Sequence, residues 1–160
     1  MKGFIKFAFL ASFFIMVKPL VSQNIVDLQK TATDLVSAGN LSDAEAVYKQ
    51  IVSLDSTDFD ANVWLGNYYY LKGKESLDNE DLKYNAIKEP SRMQMALHMD
   101  FLKSIYADHF SKSEPYLDRA YKKSRNEYLK KTIDFIYDYK VSIGVIKLVD
   151  KNGKRIKPGK

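Results

Sequence analysis

Apolar residues recur every three or four positions over most of this chain, the spacing that places them on one face of an α-helix. Turn signals such as Gly39-Asn40, Asp55–Asp58 and Pro90 separate the apolar segments. No strand-like alternation occurs before Ile143, and the short connections favour antiparallel neighbours. The pattern therefore predicts an all-α chain of seven helices, at residues 26–38, 42–54, 61–74, 77–88, 91–110, 113–124 (or from 111) and 126–142.

The third predicted helix, residues 61–74, carries one glycine in its middle and another at its end. A glycine inside a helix costs about 1 kcal/mol relative to alanine. Gly66 therefore indicates that a second helix packs closely across this position. Gly73 is interpreted as the residue that ends the helix, because glycine is favoured just beyond a helix C-terminus. Ser42, with Glu45 three residues later, predicts a capping box at the start of the second helix.

Equivalent residues recur along the chain at intervals of 34 and 35 positions. Ala32, Gly66 and Phe101 occupy the same place in three predicted helices. The partner helices add three matches: Ala44 with Ser113, Tyr48 with Leu117, and Ile51 with Ala120. A period of 34 residues made of helix–turn–helix units is typical of solenoids, in which stacked repeats bury a common core.

In this period the chain resembles the tetratricopeptide repeat (TPR) family from about Val26 to Ser124. The second helix of the middle repeat departs from the family pattern, with Asp78, Leu82 and Asn85 where small or apolar residues belong. The resemblance implies a helix–turn–helix repeat solenoid of about three helix pairs followed by a C-terminal capping helix. The motifs that carry it are Ala32-x2-Leu35-x3-Gly39, Ala44-x3-Tyr48-x2-Ile51, Leu65-Gly66-x2-Tyr69-x3-Gly73 and Ser113-x3-Leu117-x2-Ala120.

The same resemblance implies that the first helix of each pair lines a concave groove that binds a peptide or protein. We therefore expect an adaptor that binds a protein or peptide partner and is not an enzyme. The alternative is a structural or assembly subunit of an envelope complex that packs through its apolar face, so a monomer and a homodimer both remain open. The residues expected at the groove are Gln29, Thr33, Val63, Trp64, Asn67, Tyr70, His98, Leu102 and Tyr106.

Residues 1–22 are typical of a secretory signal peptide. Lys2 and Lys6 precede an uninterrupted run of eleven residues, 7–17, in which Ser12 is the polar member. A bilayer span needs about 20 apolar residues, so this run favours a cleaved signal over a membrane anchor. We expect three segments: the signal at 1–22, the repeat domain at 23–143 and a basic C-terminal tail at 144–160. The protein should then be exported, to the periplasm or beyond, with no stable membrane span once the signal is removed.

Charge and composition exclude several function classes. The sequence has a net charge of +5, but residues 23–150 carry 17 basic and 20 acidic side chains, so no basic face for nucleic acid is expected. The last ten residues hold five basic residues and no acid, and binding of this tail to an anionic surface is a third possibility.

No constellation in the sequence indicates catalysis or a bound cofactor. The chain has no cysteine, and its glycines form neither a phosphate-binding loop nor a nucleophile elbow. His98 and His109 are eleven residues apart, so they do not form the i, i+4 pair of a helical metal site. The acidic residues at 78, 80 and 81 lack the spacing and the glycine of a calcium loop. We therefore expect no enzyme activity, metal or cofactor.

Overall fold

The computed structural model describes residues 23–147. The predicted signal segment 1–22 and the last part of the basic tail, 148–160, lie outside the described residues. Within the described range 84% of residues are helical and none is in a strand. This confirms the predicted all-α, helical repeat-like fold. The helices are α1 (23–37), α2 (Leu41–Leu54), α3 (Phe59–Asn85), α4 (Arg92–Ile105), α5 (Ser111–Ser124) and α6 (Glu127–Ser142), with a π-helical turn at Tyr106–Phe110.

The chain divides into two compact units, Met1–Ala61 and Asn62–Lys160, so that the first turn of α3 belongs to one unit and the rest of the helix to the other. In the first unit, Gly39 ends α1 with a φ of +75°, a left-handed backbone conformation that favours glycine. The predicted capping box at Ser42 is wrong. The helix begins at Leu41, and Asn40 precedes it without a side-chain bond to the backbone. The buried residues of α1 and α2 are Ala32, Ala44, Tyr48 and Ile51, as the repeat motif predicts.

The prediction that Gly73 ends a helix is wrong, because α3 is one helix of 27 residues where two were expected. Gly73 lies inside it, and the glycines with positive φ among residues 23–147 are Gly39 and Gly144. A Cβ atom at Gly73 would lie 2.5 Å from Cε1 of Phe110, which is fully buried. Glycine is therefore present at this position for close packing rather than to stop the helix.

The pairing of the later helices also differs from the prediction. From Arg92 to Ser124 the chain is helical throughout, and this arm runs antiparallel to α3. Arg119 bonds Asn62 near the start of α3, whereas His98 bonds Glu80 near its end. The long hairpin formed by α3 and the arm 92–124 therefore replaces the predicted second and third helix pairs. Phe101 lies on the returning arm and not on a third first helix.

The partner of the Gly66 region is α5. Ser113 Oγ donates a hydrogen bond to the Gly66 carbonyl at 2.7 Å, and a Cβ atom on Gly66 would lie 2.6 Å from Leu117 Cδ2. Leu117, Ser113 and Ala120 are buried, like their first-unit equivalents in α2. The helix that packs on the Gly66 region is thus α5, and Asp78, Leu82 and Asn85 lie farther along α3, beyond this crossing. The last helix of the second unit among the described residues, α6, packs on the hairpin through Phe135 and Tyr139.

Candidate functional site

Two of the predicted groove residues come together in the first unit. Gln29 and Thr33 line a pocket of about 320 Å³ with Lys30, Tyr48 and Asp60. Gln29 Nε2 donates to Asp58 Oδ2 at 2.9 Å, and Thr33 Oγ1 donates to the Gln29 carbonyl at 2.8 Å. Burial raises the pKa of the Tyr48 hydroxyl, with smaller contributions from Asp60 and Asp58, so Tyr48 stays neutral and can donate a hydrogen bond.

Four predicted groove residues lie on α3 in the second unit, each of them half-buried: Val63, Trp64, Asn67 and Tyr70. Tyr70 packs against Phe110 and Phe135, with ring centroids 6.0 Å and 5.6 Å away. Burial raises its pKa. Tyr70 is therefore part of the aromatic core of this unit. Asn67 Oδ1 is buried and has no hydrogen-bond partner among residues 23–147.

The other three predicted residues lie on the returning arm, in separate sets of contacts. His98 contacts the end of α3, the Leu102 carbonyl accepts a hydrogen bond from Tyr139 at 2.8 Å, and Tyr106 donates to Glu114 Oε2 at 3.0 Å. Because this arm is antiparallel to α3, these residues do not belong to a parallel stack of first helices, which was the basis of the predicted groove.

The contacts of Tyr106 join α5 to α6. Lys140 Nζ on α6 lies 2.8 Å from Glu114 Oε1 and 5.6 Å from the centre of the Tyr106 ring. Burial raises the pKa of Tyr106, and the neighbouring Glu114 raises it further. Burial alone would lower the pKa of Lys140, but Glu114 outweighs it and the pKa is raised. Lys140 therefore stays charged, and these residues hold the capping helix in place.

A cleft that the sequence did not predict lies at the end of the hairpin, where α3 finishes and α4 begins. Its volume is about 340 Å³. His98 lines it, with Nδ1 at 2.9 Å from Glu80 Oε1 and its ring stacked on the Tyr84 ring at a centroid distance of 3.8 Å. The lining residues are Glu80, Lys83, Tyr84, Ile87, Gln94, Leu97, His98 and Phe101.

One side of this cleft is an exposed apolar face of α4. Met93, Leu97 and Phe101 occupy successive turns, and 74%, 58% and 43% of their surfaces are exposed. We call these three residues the tip surface. Exposed apolar residues that form one patch often mark a protein-interaction site. Their i, i+4, i+8 spacing was visible in the sequence, but it did not show that these positions are exposed.

The described part of the chain shows neither a metal cluster nor a membrane span. Among residues 23–147 there is no group of three or more His, Asp or Glu side chains placed to hold a metal ion. In the same range no helix combines the length and the apolar character needed to cross a bilayer.

No protein-family model matches the sequence. No curated protein matches it either. Among solved structures, the chain is similar to a crystal structure from Bacteroides ovatus described as a "putative protein binding protein", with a TM-score of 0.70 and 26% sequence identity. The match covers 75% of this chain and 58% of that one, so the chain spans well under two thirds of its neighbour's length.

Proposed function

We propose that this chain is an exported, non-catalytic adaptor built from TPR-like helix pairs, and that it binds a protein partner. The fold likeness to a protein described as protein-binding supports the function class. The buried positions shared by α2 and α5 support the TPR-like motif. The predicted signal segment supports export to the periplasm or beyond.

The observation that carries the proposal is the tip surface beside the hairpin cleft. Apolar side chains of a partner that covered Met93, Leu97 and Phe101 would remove three large side chains from water, a driving force of about 25 cal/mol per Å² of buried apolar area. A surface with Met93 on its first turn, next to a cleft, suits a helical or extended apolar segment, because methionine adapts its shape to its partner. The concave groove predicted from Gln29 to Tyr106 stays a prediction, and we place the principal contact at the tip surface instead.

Site-specific photo-cross-linking tests this placement. A photo-reactive phenylalanine analogue at Leu97 should cross-link a discrete second protein in the cells that make the chain. The same analogue at Tyr128, which is 59% exposed on α6 and belongs to no proposed binding surface, is the matched control and should give no such product. Equal products from both positions, or none from Leu97, would reject the tip surface as the binding site.

The same surface supports one alternative, a structural subunit that packs through it onto a second copy. Light scattering after size-exclusion chromatography distinguishes the two roles. If the parent chain is a monomer and the double variant Leu97→Ser/Phe101→Ser is also a monomer, the adaptor role is supported. If the parent chain is a dimer and this variant is a monomer, the structural subunit is supported.

A further inference from the structure

A chain of aromatic rings with cations over it runs across α3 and α5, away from the tip surface. Trp64 stacks on Tyr68 with centroids 4.9 Å apart, Tyr68 meets Tyr69 edge to face at 5.5 Å, and Tyr69 stacks on Tyr116 at 6.2 Å. Trp64, Tyr68 and Tyr116 are half-buried, so each presents part of its surface to solvent. We call the four rings and the three cations described next the aromatic–cation surface.

Three basic side chains lie over these rings. Lys72 Nζ is 5.0 Å from the Tyr68 centroid, Lys112 Nζ is 6.0 Å from Tyr69, and Arg119 Cζ is 5.0 Å from Tyr116. Among the described residues, none of the three forms a salt bridge with a carboxylate. The neighbour of Arg119 Nε is the Asn62 amide oxygen, at 2.8 Å. Within residues 23–147, the positive charge of this surface is therefore not neutralised by an ion pair.

We propose that the aromatic–cation surface binds an acidic segment of a partner protein, and this inference rests on the proposed protein-binding role. Arginine and large aromatic side chains are the residues that carry most binding energy at protein interfaces. Carboxylates of the partner would pair with the cations, and its apolar side chains would cover the exposed edges of Trp64, Tyr68 and Tyr116.

The spacing of the cations favours a peptide over a small anion or a nucleic acid. Lys112 and Arg119 are seven residues apart on one helix, a rise of about 10.5 Å. A single phosphate does not reach both, whereas carboxylates three residues apart on an extended chain do, at about 3.3 Å per residue. Nucleic-acid binding depends largely on the neutralisation of many phosphates by Lys and Arg, and this surface offers three cations.

Fluorescence of Trp64 provides a direct readout, because it is the single tryptophan of the sequence. The whole chain is titrated with synthetic decaglutamate. Decaglutamine is the uncharged control peptide of equal length, and oligothymidylate is the nucleic-acid control. We expect decaglutamate to change the Trp64 emission and to bind more weakly as salt rises, while decaglutamine has no effect. Binding of oligothymidylate without decaglutamate would overturn the proposal.

Charge-matched variants separate a binding role from a structural one. Lys72→Gln/Lys112→Gln should weaken decaglutamate binding roughly fivefold, as expected for the loss of two exposed ion pairs. The control pair Lys103→Gln/Lys131→Gln removes the same charge outside the aromatic–cation surface and should change the affinity for decaglutamate less than twofold. If the two double variants lose the same affinity for decaglutamate, the effect of charge is nonspecific. If Lys72→Gln/Lys112→Gln binds decaglutamate as the parent does, these lysines only cover the rings and the proposal is wrong. The tip variant Leu97→Ser/Phe101→Ser should keep full decaglutamate binding, so either proposal can fail without the other.

Discussion

At the scale of single residues, the second unit depends on small residues at the crossing of α3 and α5. Gly66 has no room for a Cβ atom, since Leu117 Cγ would lie 2.8 Å from it and the Leu117 backbone nitrogen 3.2 Å. Leu117 is fully buried and has little space to move. The sequence predicted this close approach from the glycine alone, but it did not show that the partner is 51 residues away on α5.

Replacement of Gly66 should therefore lower stability. Gly66→Ala is expected to cost roughly 1–3 kcal/mol of unfolding free energy by overpacking, whereas helix propensity alone predicts a gain of about 1 kcal/mol. In a Leu117→Ala background the two closest contacts, with Leu117 Cδ2 and Cγ, are removed and the backbone contact at 3.2 Å remains, so the same substitution should cost much less. Urea denaturation of the four proteins measures both effects. A rise in midpoint for Gly66→Ala in the parent protein would contradict the packing explanation.

The environment of His109 gives a prediction about pH. Its ring lies 3.4 Å from Ser76 Oγ, and burial lowers its pKa below 6.5, with Lys72 and Lys112 adding to the effect and Asp108 opposing it. Protonation therefore favours the unfolded chain. The contribution of His109 to stability is complete above the unfolded pKa of 6.5 and is lost as the pH falls below that value and through the lower pKa of the folded state.

Urea midpoints measured between about pH 7.5 and pH 5.5, a range that brackets the usual histidine pKa, should accordingly fall as the solution becomes more acidic. His109→Gln removes the titrating group and should make this fall shallower. Two parallel curves for the parent and the variant would show that His109 does not contribute to the acid sensitivity.

At the scale of elements, the sequence predicted the helices better than their connections. The predicted start of α4 was correct, because Ser91 caps the helix and forms a reciprocal capping box with Gln94. The first helix pair was correct apart from the residue that caps α2. The stop at Gly73 was wrong for a physical reason: a glycine that ends a helix and one that admits a neighbouring ring look alike in sequence. The ring that decides between them, Phe110, is 37 residues away.

The tip surface escaped prediction for a related reason. Leu97 and Phe101 follow the apolar period of α4 as a buried stripe would, and Ile105 in the same helix is indeed buried. Whether such a face is buried depends on which other helices pack on α4, and no local pattern encodes that. Of the predicted groove residues, only His98 lines the hairpin cleft.

The π-helical turn between α4 and α5 is held by α6. Tyr139 donates to the Leu102 carbonyl at 2.8 Å, one turn before Tyr106, where the π-helical turn begins. Burial raises the pKa of Tyr139 to about 12 from its usual value of 10.0. The unfolded chain therefore loses this proton first, and the stabilising contribution of the neutral hydroxyl declines as the pH rises above 10.0.

Tyr139→Phe should cost about 1 kcal/mol at neutral pH, the usual value of a hydrogen bond. It should also reduce the loss of stability at alkaline pH, since phenylalanine does not ionise. Chemical denaturation at two pH values, about 8 and about 10.5, on either side of the tyrosine pKa, tests both expectations. A matched substitution at the exposed Tyr137 should leave the neutral-pH stability nearly unchanged. Equal effects at the two positions would contradict the role given to Tyr139.

At the scale of the whole molecule, the two units repeat one motif with different helix lengths. The positions of Ala44, Tyr48 and Ile51 in α2 recur in α5 after 69 residues, and all six side chains are buried. The predicted correspondence between α2 and α5 therefore agrees with the buried positions, whereas the predicted match of Phe101 with Gly66 was assigned to the wrong helix. When both arms of a hairpin are longer, the helical spacing of apolar residues continues through the added turns. The sequence alone therefore does not reveal that the helix paired with the start of α3 is α5, farther along the chain.

Export is the last prediction, and it belongs to the whole chain because it decides where any partner is met. The eleven-residue apolar run at 7–17 is about half the length that a bilayer span needs. Lys18 and Pro19 follow it directly, and both disfavour a continuing apolar helix. We therefore expect a signal peptidase to remove residues 1–22, so that the mature protein begins at Gln23. Intact-mass measurement of the protein recovered from outside the cytoplasm tests this, and a mass that retains Met1 would contradict it. Phe14→Asp interrupts the apolar run and should leave the uncleaved chain inside the cell, whereas Ser12→Ala keeps the run intact and should be exported as the parent is.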